Sequence, residues 1–183
     1  MERQLVEQAA KGDPEAFGVL VRLSSNRLFA IAYRILRDHH RAEDVLQQSL
    51  IAIWDDLPRL RDPERFEAWS YRVIVRASVA AARHERRAQF VDLRSSDRDS
   101  TEPDQLRSVD QRDELERCFQ QLSPDHRAVL VLHHFVGLSL AEIADVLGVP
   151  IGTVGSRLHY AVRILRAAIE ADTAGVSATE QRA

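Results

Sequence analysis

The side chains best suited to catalysis or metal binding are seven histidines and one cysteine. His39 and His40 are adjacent, as are His133 and His134, and neighbouring helical residues point about 100° apart, so such pairs chelate a metal poorly. We expect one residue of the second pair to be buried and one exposed. Cys118, standing alone, excludes an internal disulfide and a cysteine-based zinc cluster. No HExxH spacing, glycine-rich phosphate loop or nucleophile arrangement occurs. The sequence therefore predicts no enzyme, no metal site and no cofactor.

Arginines form a second candidate site, because the planar guanidinium matches phosphate oxygens in two-point contacts. They recur at spacings of seven, four, seven and four residues. At about 100° per residue they share one narrow sector of a helix. The arginines are Arg65, Arg72, Arg76, Arg83 and Arg87. The pattern indicates either a phosphate-binding edge or a solvated face, and the spacing leaves both open.

Residues 138–158 are typical of two helices joined by a tight turn, the helix-turn-helix of DNA-binding domains. Ser139 with Glu142 three residues later predicts a capping box at the start of the first helix. Gly148 suits the left-handed backbone that ends this helix. Pro150 suits the first turn of the next helix, where a missing N–H costs nothing.

The second helix of this pair has two distinct faces. Its apolar face is predicted to pack through Val154, Leu158, Ala161, Leu165 and Ile169. Its opposite face carries donors for phosphates and base edges, namely Ser156, His159, Tyr160 and Arg163, with Arg157 on the flank. Helical repeats and adaptors also contain capped helix pairs, so the pattern favours DNA binding without excluding those classes.

Composition limits the remaining possibilities. The chain has 183 residues, 45% of them hydrophobic, which predicts one or two domains with real cores. A formal net charge of −3 argues against a generally basic nucleic-acid coat protein. The N-terminus lacks an apolar signal core, and no apolar run approaches the roughly 20 residues that cross a bilayer. We therefore expect a cytoplasmic protein without membrane insertion.

Helical periodicity runs through most of the chain and predicts an all-α fold. Helix starts are expected at Asp13-Pro14, Asp62-Pro63 and Ser123-Pro124, where a capping side chain precedes proline. The helix after Asp62-Pro63 is expected to face inward through Phe66, Trp69, Val73 and Ala80.

A change in composition divides the chain into two helical domains. The predicted boundaries are 1–87 for the first domain, 88–107 for a flexible, net-acidic linker and 108–170 for the helix-turn-helix domain, with 171–183 as a frayed tail. The linker is assigned because its serine- and aspartate-rich sequence lacks sustained periodicity.

Three segments in this order resemble a bacterial RNA polymerase sigma factor of the extracytoplasmic-function group. AEDVLQQSLIAIW (42–54) is similar to the family's polymerase-binding helix, and FEAWSYRVIVRASVAAARHERR (66–87) to its promoter-melting helix. LSPDHRAVLVLHHFVGLSLAEIADVLGVPIGTVGSRL (122–158) is similar to the domain that binds the upstream promoter element. The resemblance covers nearly the whole chain.

The resemblance implies a role for each segment. Core polymerase binding falls to Asp44, Gln47 and Gln48. Binding of the minus-ten element falls to Leu60, Arg61, Arg65, Arg72, Arg76 and Arg83. Binding of the minus-thirty-five element falls to Gly152, Thr153, Ser156, Arg157, His159, Tyr160 and Arg163, with the backbone amides of the first two near a phosphate. The expected partners are core RNA polymerase, promoter DNA and an anti-sigma factor.

Several residues depart from the family pattern. Gln48 stands where an acidic residue is usual, Arg76 where many members have Asn, and Ala80 where many have Asp. Gly155 replaces a common Lys or Arg, and Tyr160 and Val162 fill positions that are often Arg. Promoter preference therefore cannot be transferred from other members.

One alternative is a helix-turn-helix regulator that binds an operator without recruiting core polymerase. It would account for the residues after Ser123. It would leave the helix at 42–54 and the loop PRLRDPERF without a function. The sigma-factor interpretation accounts for all three segments.

Overall fold

The computed structural model describes residues 2–95, 119 and 122–180. The α-helices are α1 (Glu2–Ala10), α2 (Pro14–Leu36), α3 (His39–Asp56), α4 (Phe66–Ser95), α5 (Pro124–Leu130), α6 (Leu140–Leu147) and α7 (Ile151–Glu180). Short 3-10 turns at Leu57–Arg59 and Pro63–Arg65 connect α3 to α4, and α5 continues as a π-helix, Val131–Val136. No strand occurs among these residues, which confirms the all-α prediction.

Helices α1 to α4 form the first lobe (residues 2–95). Asp13 caps α2 by accepting hydrogen bonds from the backbone N–H groups of Glu15 and Ala16, with Pro14 at the first helical position. Helix α2 packs against α1, α3 and α4. Its apolar face supplies much of the core, with Leu28, Ile31, Ala32 and Ile35 fully buried.

The second lobe (residues 122–180) contains α5, the π-helix, α6 and α7. Ser123 caps α5, and Ser139 forms the predicted capping box with Glu142 at the start of α6. Gly137 and Gly148 end their helices with φ of 87° and 67°, left-handed values that favour glycine. Local sequence thus determines both ends of α6, the first helix of the helix-turn-helix.

The two lobes pack against each other. Helix α4 contacts α5 and α6, and α2 contacts α5 and the π-helix. Buried apolar residues of both lobes join in one cluster, in which Ile74 and Val75 of the first lobe accompany Val129 and Leu132 of the second. A smaller cluster under α7 contains Leu122, Leu130 and Ala161.

Three expectations require correction or comment. Ala80 is exposed instead of facing inward, because α4 is buried through Ile74, Val75, Ser78 and Ala82. Helix α4 continues to Ser95, eight residues into the predicted linker, and the remainder of that segment lies outside the described residues. Helix α7 continues to Glu180 through the predicted frayed tail, where several alanines favour helix.

The described helices were also compared with the requirements for crossing a membrane. None of them combines sufficient length with sufficient apolar character.

Candidate nucleic-acid and polymerase interface

The predicted polymerase-binding residues lie on the open side of α3. Asp44, Gln47 and Gln48 are all exposed, while Val45 and Ser49 on the opposite side are buried in the core. The placement arises from the 3.6-residue period, which separates these two sets on the helix surface. This surface is therefore accessible to a partner without rearrangement of the first lobe.

An apolar groove adjoins Gln47. It has a volume of about 410 Å³ and is lined by Pro14, Phe17, Val21, Gln47, Leu50, Ile51 and Trp54. The rings of Phe17 and Trp54, which both line the groove, lie 4.8 Å apart between centroids and join α2 to α3. Ile51 is 57% exposed, which leaves an apolar side chain beside the polar row.

Several arginines of α4 contact the second lobe. The Nη2 atom of Arg72 donates to the backbone oxygen of Asp145 at 2.6 Å. Arg65 lies just before α4, and its guanidinium is 3.8 Å from the Asp145 carboxylate. Because Asp145 lies in the last turn of α6, Arg72 satisfies a carbonyl that has no partner within the helix. Two predicted minus-ten residues therefore contact the first helix of the helix-turn-helix.

Asp125 connects the two predicted DNA-binding surfaces. Arg83 of α4 donates to both of its carboxylate oxygens, through Nη2 at 2.8 and 2.7 Å and Nε at 3.2 Å. Arg157 of α7 lies 3.2 Å from the same carboxylate. One half-buried acidic side chain thus holds an arginine from each predicted surface.

Two clefts separate the lobes around these contacts. The first, about 440 Å³, is lined by the predicted minus-ten residues Leu60, Arg61, Arg65 and Arg72, and by Glu142, Asp145 and Val146 of α6. The second, about 290 Å³, includes Arg76, Arg83, Asp125 and Arg157. All six predicted minus-ten residues therefore line a boundary between the lobes.

The exposed face of α7 largely matches its prediction. Gly152, Ser156, His159, Tyr160 and Arg163 are exposed, whereas Thr153 is half-buried. The Arg163 guanidinium lies 5.5 Å from the centroid of the Tyr160 ring. Val154 and Ala161 are fully buried on the opposite side. Arg157, which we expected on the flank, is half-buried and held by Asp125.

Two titratable groups of α5 have lowered pKa values in these surroundings. Burial lowers the pKa of His126, Arg157 lowers it further, and Asp125 partly opposes them. The ring of His126 lies 4.7 Å from that of Tyr160, and its Nδ1 is 2.5 Å from the Ser123 hydroxyl.

Arg127 is the other such group. Burial lowers its pKa to about 10, and the neighbouring charges of Arg86 and Arg37 act in the same direction. It therefore remains cationic at neutral pH.

Sequence reasoning missed the acidic partners of these arginines. Asp125 and Asp145 were not singled out, because nothing in their local sequence distinguishes them from other exposed carboxylates. It also missed Glu43, whose Oε2 lies 3.5 and 3.7 Å from the Nδ1 atoms of His39 and His40. All three are exposed, and the arrangement joins charges only when the rings are protonated.

Two family models match the chain. The model described as Sigma-70 region 2 matches residues 20–88, and the model described as Sigma-70, region 4 matches residues 112–165. Together the matched segments span more than half of the chain. They correspond to the first lobe and to most of the helix-turn-helix domain.

Curated relatives agree with these matches. The chain is similar to the RNA polymerase sigma-H factor of Pseudomonas aeruginosa, with 32% identity covering 92% of this chain and 94% of that protein. It is 35% identical to the ECF RNA polymerase sigma factor SigL of Mycobacterium tuberculosis, covering 78% of this chain and 82% of that protein.

Solved structures show the same architecture. CnrH, solved in complex with the cytosolic domain of CnrY, has a TM-score of 0.67 and 30% identity, covering 93% of this chain and 98% of that chain. The sigma factor RpoE of Bartonella quintana, solved with the anti-sigma factor NepR, has a TM-score of 0.65 and 25% identity, covering 85% and 98% respectively.

Proposed function

The chain belongs to the sigma-70 family of RNA polymerase sigma factors, in its extracytoplasmic-function group, and we propose how its two lobes divide the work of initiation. As a sigma factor it binds core RNA polymerase and directs transcription from promoters. Such proteins are initiation factors. We propose that this one carries no catalytic activity of its own and acts in the cytoplasm.

Core polymerase binding is assigned to Asp44, Gln47 and Gln48 on α3. Their exposure supports this, because a partner can reach all three without disturbing the buried residues Val45 and Ser49. One carboxylate and two amides suit a partner surface that presents basic and hydrogen-bonding groups. The departure at Gln48 removes a negative charge and places more of the electrostatic contribution on Asp44.

Minus-ten DNA is assigned to Leu60, Arg61, Arg65, Arg72, Arg76 and Arg83. The supporting feature is a row of guanidinium groups along one side of α4 and the loop before it. Guanidinium groups contact phosphates strongly, and such contacts position the protein on DNA. Arg72 and Arg83 would exchange their present acidic and carbonyl partners for phosphate oxygens.

Minus-thirty-five DNA is assigned to α7. In its first turn, Gly152 offers its backbone N–H to a phosphate, where the helix dipole favours an anion. The predicted contribution of the Thr153 N–H requires correction, because that group already donates to the Pro150 carbonyl at 2.9 Å. Ser156, Arg157, His159, Tyr160 and Arg163 form the side-chain contacts. The N-terminal part of the second helix of a helix-turn-helix enters the major groove, so Arg157 is assigned to a base edge or the adjacent phosphates.

An anti-sigma factor is proposed as the regulatory partner. One similar sigma factor was solved with such a protein, and another with the cytosolic domain of a second protein. Those sigma factors share the architecture of this chain over most of its length. An inhibitor would compete most directly for α3 or for the arginines of α4.

One observation carries the proposal: segments matching sigma regions 2 and 4 occur in one chain, in that order. Run-off transcription with purified core polymerase tests it. The templates would be a genomic promoter library of the source organism, with and without the protein. Protein-dependent transcripts from defined start sites are expected. DNA binding without any such transcript would instead indicate an operator-binding regulator.

A further inference from the structure

We propose that the two lobes close on each other through an interlobe latch in which acidic and carbonyl groups of the second lobe occupy the DNA-binding arginines. Across the lobes, the latch consists of Arg72 with Asp145 and Arg83 with Asp125, and Arg157 engages Asp125 from within the second lobe. It makes the free protein self-inhibited, so promoter DNA must displace internal partners before it binds. The inference rests on the proposed assignment of these arginines to DNA.

The strongest part of the latch is the Asp125 carboxylate. It accepts hydrogen bonds from Arg83 and pairs with Arg157, so it bridges α4 and α7. The Asp125 side chain is only 22% exposed, which weakens screening of these pairs by water and salt. A carboxylate engaged by guanidinium forks resembles a DNA phosphate in charge and geometry. Asp125 therefore acts as an internal substitute for a phosphate.

The C-terminal end of α6 provides the second part. Arg72 donates to the Asp145 carbonyl, and the guanidinium of Arg76 lies beside Gly148, 3.0 Å from the position that a Cβ would occupy there. Helix C-termini carry partial negative charge, so they attract cations within the last turn. Arg72 thus binds the partly negative C-terminal end of α6, and Arg76 lies beside it, where DNA would offer negatively charged phosphates.

Further contacts follow the same pattern away from the DNA-binding residues. Arg27 of α2 donates to the Val136 carbonyl at the end of the π-helix. The guanidinium of Arg34 lies 3.8 Å from the centroid of the Phe135 ring. These contacts hold the lobes together on a second side. Closure therefore does not depend on a single ion pair.

The closed state also contains an unfavourable feature that permits opening. The Nε atom of Arg72 is buried, and no described residue accepts a hydrogen bond from it. A buried donor without an acceptor costs free energy. The closed state is thus held by exposed and half-exposed ion pairs and weakened at one position. This balance fits a contact that phosphates can replace.

The central test uses Asp125→Asn in the full chain. This variant keeps the shape of the side chain and removes its charge. Asp55→Asn is the matched control, because it removes one exposed negative charge from the first lobe, away from the latch. Asp125→Glu retains the charge and should behave like the parent. Circular dichroism melting verifies that each variant is folded.

Two quantities are measured for each protein. The first is the distance between spin labels at Ala52→Cys and Ala141→Cys, both exposed positions, in a Cys118→Ser background without DNA. The second is affinity for a nonspecific DNA duplex of about 30 bp at fixed salt. The apparent affinity equals the affinity of the open state multiplied by the fraction of molecules that are open. Opening should therefore tighten binding by roughly 3- to 10-fold.

The expected result for Asp125→Asn is a longer, broader distance distribution and tighter DNA binding, with Asp55→Asn unchanged in distance and less than about 2-fold changed in affinity. A parental distance distribution in Asp125→Asn would overturn the latch, as would opening without tighter binding. Failure of the DNA assignment would appear separately. In that case Arg83→Ala and Arg157→Ala, each added to Asp125→Asn, would leave DNA affinity at the Asp125→Asn value.

Discussion

The surface of α3 and the surface between α4 and α7 differ in what covers them. Asp44, Gln47 and Gln48 on α3 face away from the rest of the described chain. On α4, Arg72 and Arg83 are engaged by the opposite lobe, and on α7 Arg157 is engaged by Asp125 of its own lobe. The proposed polymerase-binding surface is therefore uncovered by the described residues, while the proposed DNA-binding surface is partly occupied. This difference predicts an order of events in which polymerase binding precedes promoter binding.

The largest expected effect is on polymerase binding by the exposed residues of α3. Asp44→Arg reverses the charge of an exposed residue that we assign to polymerase. Truncating one partner of a charged interface pair costs about 2–5 kcal/mol, and reversal adds repulsion, so binding should weaken at least about 100-fold. The free energy of unfolding should change by less than about 0.5 kcal/mol, as for other surface substitutions. Titration calorimetry with core polymerase measures the binding affinity, and urea unfolding measures the free energy of unfolding.

Asp55→Arg is the matched control, because it places the same charge on the exposed side of the same helix. It should retain most of the polymerase affinity. Equal losses in the two variants would indicate a general electrostatic effect. Undiminished binding by Asp44→Arg would remove this residue from the interface.

Next in size is the effect of Arg157→Ala on binding of the minus-thirty-five element. Loss of a base-edge contact costs about 1–3 kcal/mol of discrimination. The substitution also removes the second-lobe partner of Asp125 and leaves that carboxylate to Arg83 alone. The base-edge contact is therefore measured most cleanly by comparing Asp125→Asn with the double variant Asp125→Asn/Arg157→Ala. Fluorescence anisotropy with the mapped promoter element and a scrambled duplex measures it.

Arg166→Ala serves as the control, since Arg166 is exposed on α7 beyond the predicted DNA-contacting residues. It should change affinity much less. An Arg157→Ala double variant that binds the promoter element as tightly as Asp125→Asn, at matched salt, would assign DNA contact to a different side of α7.

A smaller gain is expected from Gly155→Arg. No atom lies within 4 Å of a Cβ built at Gly155, so a side chain fits without displacing a neighbour. The substitution adds a cation to the predicted DNA-facing helix. If one phosphate is gained, the slope of log affinity against log salt should steepen by about one.

Gly155→Gln separates the effect of the added charge from the effect of replacing glycine within the helix. Replacing glycine within a helix stabilises it by up to about 1 kcal/mol irrespective of charge. Both variants should therefore melt at a higher temperature, whereas only the arginine should steepen the salt dependence. A parental salt slope in Gly155→Arg would place this position away from the DNA backbone.

The smallest predicted effect concerns pH. Burial lowers the pKa of His126 in the folded protein, so the unfolded chain binds a proton first as pH falls. The stability contributed by neutral His126 is therefore present above its unfolded pKa of about 6.5 and lost progressively below that value. Asp125, Arg157, Ser123 and Tyr160 surround the ring and modulate the transition.

Thermal melting at pH 8 and at acidic pH, for the parent and His126→Gln, measures this contribution. The variant should lose less stability on acidification than the parent. Identical pH dependence in the two proteins would show that His126 does not contribute to it.

The sequence alone determined features whose causes are local. Caps illustrate this best: Ser139 with Glu142, and Gly148 with its positive φ, lie where the predicted boundaries required them. Hydrogen bonds between residues three or four apart depend on neighbouring sequence and little else. The same locality sets the polar side of α3, where the 3.6-residue period separates Asp44 and Gln48 from the buried Val45. The family resemblance extended these assignments to a function.

Tertiary structure decided which of several possible faces and partners prevailed. Ala80 fits either an inward or an outward face because its side chain is small, and only packing of the second lobe and the first-lobe core left it exposed. The pairing of Arg83 with Asp125 joins residues 42 positions apart, and that of Arg72 with Asp145 joins residues 73 apart. Periodicity places a charge on a helix face. The charge that meets it across the fold depends on how the helices pack, and burial then sets how strongly the two interact.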